Sequence, residues 1–279
     1  MHAFCHSLNR LGRAATIYIH GHDSQQWWTE RVRLSRIYHN QQLGGARHAM
    51  LGEAASRHLI RVLRLRPGAK LIVFDGGGGE YPARISKITN GQVEVALSEP
   101  HHPMTESPVD ITLAQGLIRG ERMDLVLQKA TELGVSRVIP VAMERCVTRL
   151  SPRRLEKRMQ HWQNVVIGAS EQCGRTVLPV IESLQSSAEL IENATQSAYP
   201  LRLLLQTDSA TRIDDIRQTP GRRILLWVGP EGGFGKNETA AAAAKGFCSL
   251  RMGPRILRTE TAGLVGLSLL QARFGDLAQ

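Results

Sequence analysis

The chain has 279 residues, 42% of them hydrophobic, with 35 Lys and Arg against 25 Asp and Glu, a formal net charge of +10. That length fits one large or two modest domains, no apolar run approaches the ~18 residues of a membrane-spanning helix, and the basic excess favours a polyanionic partner. Cys5, Cys146, Cys173 and Cys248 lie far apart with no Cys-x-x-Cys pair and no histidine at ligand spacing, which argues against a zinc site or a disulfide framework and fits a reducing cytoplasm.

Residues 1–33 differ in character from the rest of the chain. They carry His2, His6, His20 and His22, no acid before Asp23, and end in Trp27-Trp28. Basic, acid-poor starts serve as targeting segments; the segment reads rather as a poorly ordered upstream extension, with His20 and His22 solvated and not metal-bound.

From Leu34 to about position 100 the pattern is that of a small β domain. Lys70 to Asp75 reads as a strand, Gly76 to Gly79 as a turn, and Tyr81 to Ile88 as a second strand; Val93, Val95 and Leu97 alternate with polar residues as a third. Asp75 followed by four glycines imitates a cofactor loop, but Pro82 and the Asn90-Gly91 turn leave no room for the helix such a loop requires, so a hairpin is expected. Arg57 to Arg66 is a helical segment stopped by Pro67-Gly68. Spacing of i, i+4 and i+7 puts Arg57, Arg61 and Arg64 on one face, with Leu59, Ile60 and Leu63 turned inward.

Pro100 to Pro108 has linker composition, and beyond it strands and helices alternate as in an α/β domain with a mostly parallel sheet over 109–279. Ile111 to Ala114 is the first strand, Arg122 to Leu133 a helix closed by Gly134, and Ser136 to Ala142 the next strand. Ser151-Pro152 starts a long helix through Ala169 with a buried stripe of Leu155, Met159, Trp162 and Val166. Leu201 to Gln206 is a strand whose end, Thr207-Asp208, lies where open α/β sheets bind ligands. The last helix, Thr261 to Phe274, is apolar nearly all round, so it must be buried within the domain or against a partner.

Residues 225–262 organise the rest. A strand over Ile224 to Val228 runs into the glycine-rich turn Gly229-Pro230-Glu231-Gly232-Gly233, a second over Phe247 to Met252 runs into Gly253-Pro254, and each turn opens a helix. Glycines admit close backbone approach and helix starts offer unpaired N–H groups, so two such turns side by side make a pocket for a flat polar molecule. A phosphate-binding Walker loop is excluded, because Pro230 stands where its first glycine belongs and Asn237 where Ser or Thr should hold magnesium.

The run Gly229-Pro230-Glu231-Gly232-Gly233, followed by Met252-Gly253-Pro254-Arg255-Ile256-Leu257-Arg258-Thr259-Glu260-Thr261-Ala262, resembles the RsmE family. These are SPOUT-class methyltransferases that modify uridine N3 in small-subunit ribosomal RNA. Supporting matches are Arg36-Ile37-Tyr38, His58 to Arg64, Gly120-Glu121-Arg122-Met123, Gln128 to Gly134, Glu144-Arg145-Cys146 and Glu171-Gln172-Cys173-Gly174-Arg175.

The resemblance covers about residues 34–279 and implies a SPOUT-type knotted parallel-sheet methyltransferase domain behind a PUA-like β-barrel. It also implies S-adenosylmethionine as cofactor, no metal, 16S rRNA within the small ribosomal subunit as partner, and a cytoplasmic homodimer. Gly229, Glu231, Gly232, Met252, Gly253, Ile256, Leu257 and Arg258 become the cofactor-binding candidates. Beside a barrel of RNA-binding type, Arg57, Arg61 and Arg64 become candidates for phosphate contact. A non-catalytic RNA-binding assembly protein and a SPOUT ribose methyltransferase are the alternatives.

Uracil N3 carries a proton and is a poor nucleophile when neutral, so the enzyme must expose the base, favour its anion and aim N3 at the methyl donor. Arg258, always charged and directly after the second turn, is the first candidate to stabilise the uracil oxyanion. Glu260 reads as the proton acceptor or, equally, as a helix-start carboxylate complementing the dipole. Arg145 reads as a structural ion pair with a neighbouring glutamate, and Arg175 as a substrate contact.

Overall fold

The computed structural model describes residues 34–147, 151–216 and 223–277. The readings made for residues 1–33 lie outside the described residues. Strands β1 (Arg36–Tyr38) and β2 (His48–Met50), helix α1 (Glu53–Arg57), and strands β3 (Lys70–Phe74), β4 (Glu80–Thr89) and β5 (Gln92–Leu97) form the first half. Their sheet runs β1-β3-β4-β5-β2, antiparallel except where β1 joins β3. Leu71, Val73, Ile85, Val93 and Val95 fill its core at 0–1% exposure, the inward members of the alternation read from sequence.

The Asp75 turn is a hairpin, as expected. Its carboxylate accepts the backbone N–H groups of Leu43 at 2.8 Å and Gly77 at 2.9 Å, so the acid is consumed in shaping the loop. Asn90 and Gly91 both take positive φ, 51° and 79°, the conformation a two-residue hairpin demands.

The arginine segment differs from expectation. Helix α1 begins earlier, at Glu53, passes into a π-helical turn over His58–Val62, and stops at Leu63. Arg64 sits in the left-handed region at φ 53°, and the Leu65 N–H closes back on the Leu59 carbonyl at 2.9 Å. This seven-residue closure, with a left-handed residue inside it, ends the helix. Arg57, Arg61 and Arg64 therefore do not share one regular helical face, although all three are exposed. Leu59 is buried as expected, whereas Leu63 is 37% exposed.

The second half comprises β6 (Asp110–Gly116), α2 (Gly120–Glu132), β7 (Arg137–Ala142), α3 (Pro152–Cys173), β8 (Val180–Ile181), β9 (Gln185–Ser186) and α4 (Ser187–Asn193). It continues through β10 (Leu201–Leu205), β11 (Arg223–Val228), α5 (Lys236–Ala244), β12 (Cys248–Leu250) and α6 (Thr259–Phe274). The sheet order is β12-β10-β11-β6-β7-β8, every pairing parallel, with β9 also on β7. One face packs Ile111, Leu113 and Leu226 against Met123 and Leu127 of α2, Trp162 of α3 and Leu267 of α6. The other packs Ile139, Leu225 and Trp227 against Leu190 of α4 and Ala242 of α5. Helices thus cover both faces, which is why the central strands read as mostly apolar rather than alternating.

Helix α6, apolar nearly all round, buries one side within the domain. Leu267 and Leu270 are 0% exposed within this chain, and a Cβ on Gly266 would stand 2.8 Å from Leu226 Cδ2. These leucines are interior; the side left to solvent carries Leu269, 37% exposed. The segment 100–108 is likewise more than a linker, since His101 and Glu80 exchange backbone hydrogen bonds at 2.8 Å and Glu106 reaches Arg175. Among the described residues no helix is long and apolar enough to cross a membrane.

Candidate active site

The carboxyl ends of β10, β11 and β12 open onto a cleft of about 420 Å³, where an open parallel sheet places its ligands. Both glycine-bearing turns line it. Gly229, Pro230, Glu231 and Gly233 come from the turn after β11; Met252, Gly253, Ile256, Leu257 and Arg258 come from the segment between β12 and α6. Leu205, Gln206 and Thr207 close the side at the end of β10. Seven of the eight cofactor candidates therefore meet around one cavity.

The exception is Gly232, which does not line the cleft. A Cβ there would stand 2.8 Å from Arg145 Cβ and 2.9 Å from the Arg145 carbonyl oxygen, so Gly232 is a packing position. Arg145 in turn donates to the Gly232 carbonyl at 3.3 Å. The ion pair expected for Arg145 is absent among the described residues, and the side chain buttresses the first turn instead.

A polar cross-link fixes the two turns to each other. Thr259, at the start of α6, donates from its hydroxyl to the Gly229 carbonyl, and Gln115 Nε2, from the end of β6, donates to Thr259 Oγ1 at 3.1 Å. Gln115 is fully buried, a polar residue inside an apolar strand, and that anomaly was its only sequence signal. Gly116 beside it lets Pro230 approach, since an added Cβ would stand 2.7 Å from the proline Cδ and N.

The charged groups are layered. Glu260 is 8% exposed and its Oε2 is buried with no hydrogen-bond partner among the described residues. Arg122, in the first turn of α2, places Nε 3.8 Å from Glu260 Oε1 and Nη1 3.5 Å from Glu231 Oε1. The Arg119 backbone N–H also points at Glu231 Oε1, at 3.5 Å. Arg122, Arg251, Arg255 and Arg258 line the cleft and all four are exposed, so basic side chains border two carboxylates. The Arg258 guanidinium has no partner among the described residues and is available to a ligand. Arg122 escaped the sequence reading as a site residue, although its motif was noticed; a first-turn arginine gives no hint that it faces two glutamates more than 100 positions away.

Arg175 does not belong to this site. It is 6% exposed, paired with Glu106 and bound to the Thr131 and Val135 carbonyls, which corrects its assignment to substrate. Burial pushes the Cys146 thiol above its ordinary pKa, against the opposing pull of backbone N–H groups at Met143 and Leu117, which favours the protonated form. Among the described residues no group of three or more His, Cys, Asp or Glu is placed to hold a metal.

The cleft suits a cationic organic cofactor. Two carboxylates face it, one with a buried oxygen lacking a donor, while Leu205, Val228, Met252, Ile256 and Leu257 supply apolar walls.

Known proteins are similar to this chain in sequence and fold. Residues 105–271 match the RNA methyltransferase domain family, and residues 51–98 match the RNA methyltransferase PUA domain family. The ribosomal RNA small subunit methyltransferase E of Buchnera aphidicola is 31% identical over 253 residues, 89% of this chain and all of that protein. A putative methyltransferase from Legionella pneumophila, solved with bound S-adenosylmethionine, is 36% identical with TM-score 0.84, covering 88% of this chain and 100% of that one. The ribosomal RNA small subunit methyltransferase E of Neisseria gonorrhoeae, solved bound to S-adenosylmethionine, is 35% identical with TM-score 0.81, covering 88% and 99%. With a family match over more than half its length behind a matched PUA domain, and a relative aligned from end to end, the chain belongs to the ribosomal RNA small subunit methyltransferase E family of RNA methyltransferases.

Proposed function

We propose that this chain methylates N3 of a uridine in 16S ribosomal RNA with S-adenosylmethionine, acting in the cytoplasm as a homodimer on the small ribosomal subunit. The observation that carries the reading is the layered charge of the cleft: carboxylates within, arginines at the rim, glycine turns between. Glu231 and Glu260 favour a cationic cofactor, and Arg251, Arg255 and Arg258 favour a polyanionic substrate at the mouth.

Gly229, Gly233, Met252, Gly253, Ile256 and Leu257 would hold the cofactor by main chain and apolar contact. When bound, S-adenosylmethionine supplies an electrophilic methyl on a positively charged sulfur. The chain's own work is then to position the base and manage one proton. Glu260 Oε2, lacking a partner among the described residues, would accept the proton of uracil N3, and the freed nitrogen pair would take the methyl carbon as that carbon's bond to sulfur breaks, the bonding pair staying on sulfur as a neutral thioether. Arg258 stabilises charge developing on the uracil oxygens.

Two measurements test the reading. Calorimetry should show S-adenosylmethionine binding; no binding would favour a ribosome-assembly protein. Mass mapping of rRNA from a strain lacking the protein should show loss of one base methyl on a 16S uridine; loss of a ribose methyl instead would overturn the N3 assignment.

A further inference from the structure

We infer that Arg122 is a positioning residue for the methyl transfer: by holding one oxygen of Glu260 and one of Glu231, it aims the other Glu260 oxygen at the base. The inference rests on the reading that Glu260 takes the N3 proton, and adds to it a residue that governs how the carboxylate is presented.

The case starts from the asymmetry of Glu260. Its Oε1 lies 3.8 Å from Arg122 Nε, while its Oε2 is buried with no partner among the described residues. A buried acceptor left without a donor is costly, and such groups concentrate where a ligand completes them. A glutamate serving only as a helix-start residue would use its carboxylate on backbone N–H groups of the first turn. No such bond is present among the described residues, and N-cap Arg258 carries no side-chain cap.

The nature of the Arg122 contacts points the same way. At 3.5 and 3.8 Å they are charge pairings rather than tight hydrogen bonds, and the Arg122 side chain is 43% exposed. Pairs this open to water contribute little to stability. What they do supply is geometry. The planar guanidinium spans two carboxylates from different turns, Glu231 after β11 and Glu260 at the start of α6, and is itself rooted in α2. An ammonium group offers a point charge and cannot bridge two carboxylates in one fixed plane.

The experiment is a double-mutant cycle on the full chain with saturating S-adenosylmethionine and rRNA substrate, comparing Arg122→Ala, Glu260→Gln and the double variant, with Arg122→Lys alongside. Expected is a fall in kcat of roughly tenfold or more for Arg122→Ala, as misplaced catalytic groups produce, with RNA KM, melting temperature and cofactor affinity little changed. The double variant should be no slower than Glu260→Gln alone, because Arg122 acts through that carboxylate. Arg122→Lys should recover only part of kcat, and methylguanidinium at non-denaturing concentration should partly rescue Arg122→Ala but not the double variant.

Losses that multiply in the double variant would overturn the inference by giving Arg122 a direct role on substrate. A rise in RNA KM with kcat unchanged would overturn it in favour of an RNA contact. Near wild-type turnover in Glu260→Gln is a separate result that removes Glu260 as proton acceptor, and this inference with it. An inactive Glu260→Gln beside a fully active Arg122→Ala would overturn only the positioning role.

Discussion

Arg175 donates from both Nε and Nη2 to one oxygen of Glu106, at 2.9 and 2.6 Å. Its remaining Nη1 serves the carbonyls of Thr131 and Val135 at 3.2 and 2.6 Å, while the other Glu106 oxygen takes the N–H groups of Thr176 and Val177 at 3.2 Å each. One buried fork therefore ties the 100–108 segment to the ends of α2 and α3. Arg175→Ala strands two buried carbonyls and a carboxylate, a defect of roughly 3 kcal/mol or more. Denaturant unfolding should show that loss, and cofactor affinity of the folded fraction should be unchanged. Lost turnover at undiminished stability would return Arg175 to the chemistry.

Arg258 carries the sharper test of catalysis. It lines the cleft with no partner among the described residues, so replacing it disturbs no internal bond. Arg258→Lys keeps the charge but loses the planar fork, and kcat should fall by up to about 100- to 1,000-fold, the range for losing one oxyanion donor. Cofactor affinity should change little. Unchanged turnover would remove Arg258 from the reaction.

Much of this was legible in the sequence, and the failures have physical causes. The strands of the parallel sheet announced themselves because burial on both faces favours continuous apolar runs, as in β11, whose last five residues, Ile224 to Val228, are all apolar and all buried. The pocket turns were legible because close backbone approach needs glycine. The two-residue strands Val180–Ile181 and Gln185–Ser186 were not, being too short for any period to show. The arginine face failed where the helix changed its winding at His58, a choice made by the packing of Leu59 and the left-handed Arg64 rather than by local preference. Arg175 misled because its role depends on Glu106, a partner 69 positions away.

The join between the two sheets has a pH signature. Glu171, on α3, accepts the Tyr38 N–H at 2.9 Å; burial pushes its carboxyl above the ordinary range, outweighing the pull of that bond, His58 and Arg36. A raised folded pKa means the folded state holds the proton more tightly. Stability from this group is therefore full below the unfolded carboxyl pKa and is lost as pH rises through the folded value. Glu171→Gln keeps an acceptor for Tyr38 and removes the charge, so it should raise the melting temperature at neutral pH, with the gain vanishing under acid conditions. A gain equal at both ends would assign the effect to packing.

RNA contact by the arginine segment remains a proposal, now unequal among its members. Arg57 is engaged by Glu53 at 3.3 Å, whereas Arg61 and Arg64 are exposed and without such a pair among the described residues. Arg61→Glu and Arg64→Glu should each weaken rRNA binding and flatten the dependence of log K on log salt by about 0.7–0.9 per lost phosphate contact. Arg57→Glu should do less, and cofactor binding should survive all three. An unchanged salt slope in the Arg61 and Arg64 variants would place the RNA elsewhere.

Gly116, behind the first turn, and Gly253, in the cleft wall, separate two reasons for glycine around the cleft. At Gly116 an added methyl would stand 2.7 Å from Pro230 Cδ and 2.8 Å from Met143 Sδ, with Pro230 beginning the turn that carries Glu231. At Gly253, φ is +71° and nothing lies within 4 Å, so a methyl meets only backbone strain. Gly116→Ala must displace the turn and should cost about 1–3 kcal/mol of overpacking, with a large fall in S-adenosylmethionine affinity. Gly253→Ala should cost about 1–2 kcal/mol of conformational strain, felt as a looser segment over Arg255 to Leu257. Calorimetry beside thermal unfolding distinguishes them, since Gly116→Ala loses affinity through a shifted wall. Full cofactor affinity in a folded Gly116→Ala protein would mean that Pro230 can give way without moving Glu231, and that the first turn does not define the cofactor pocket.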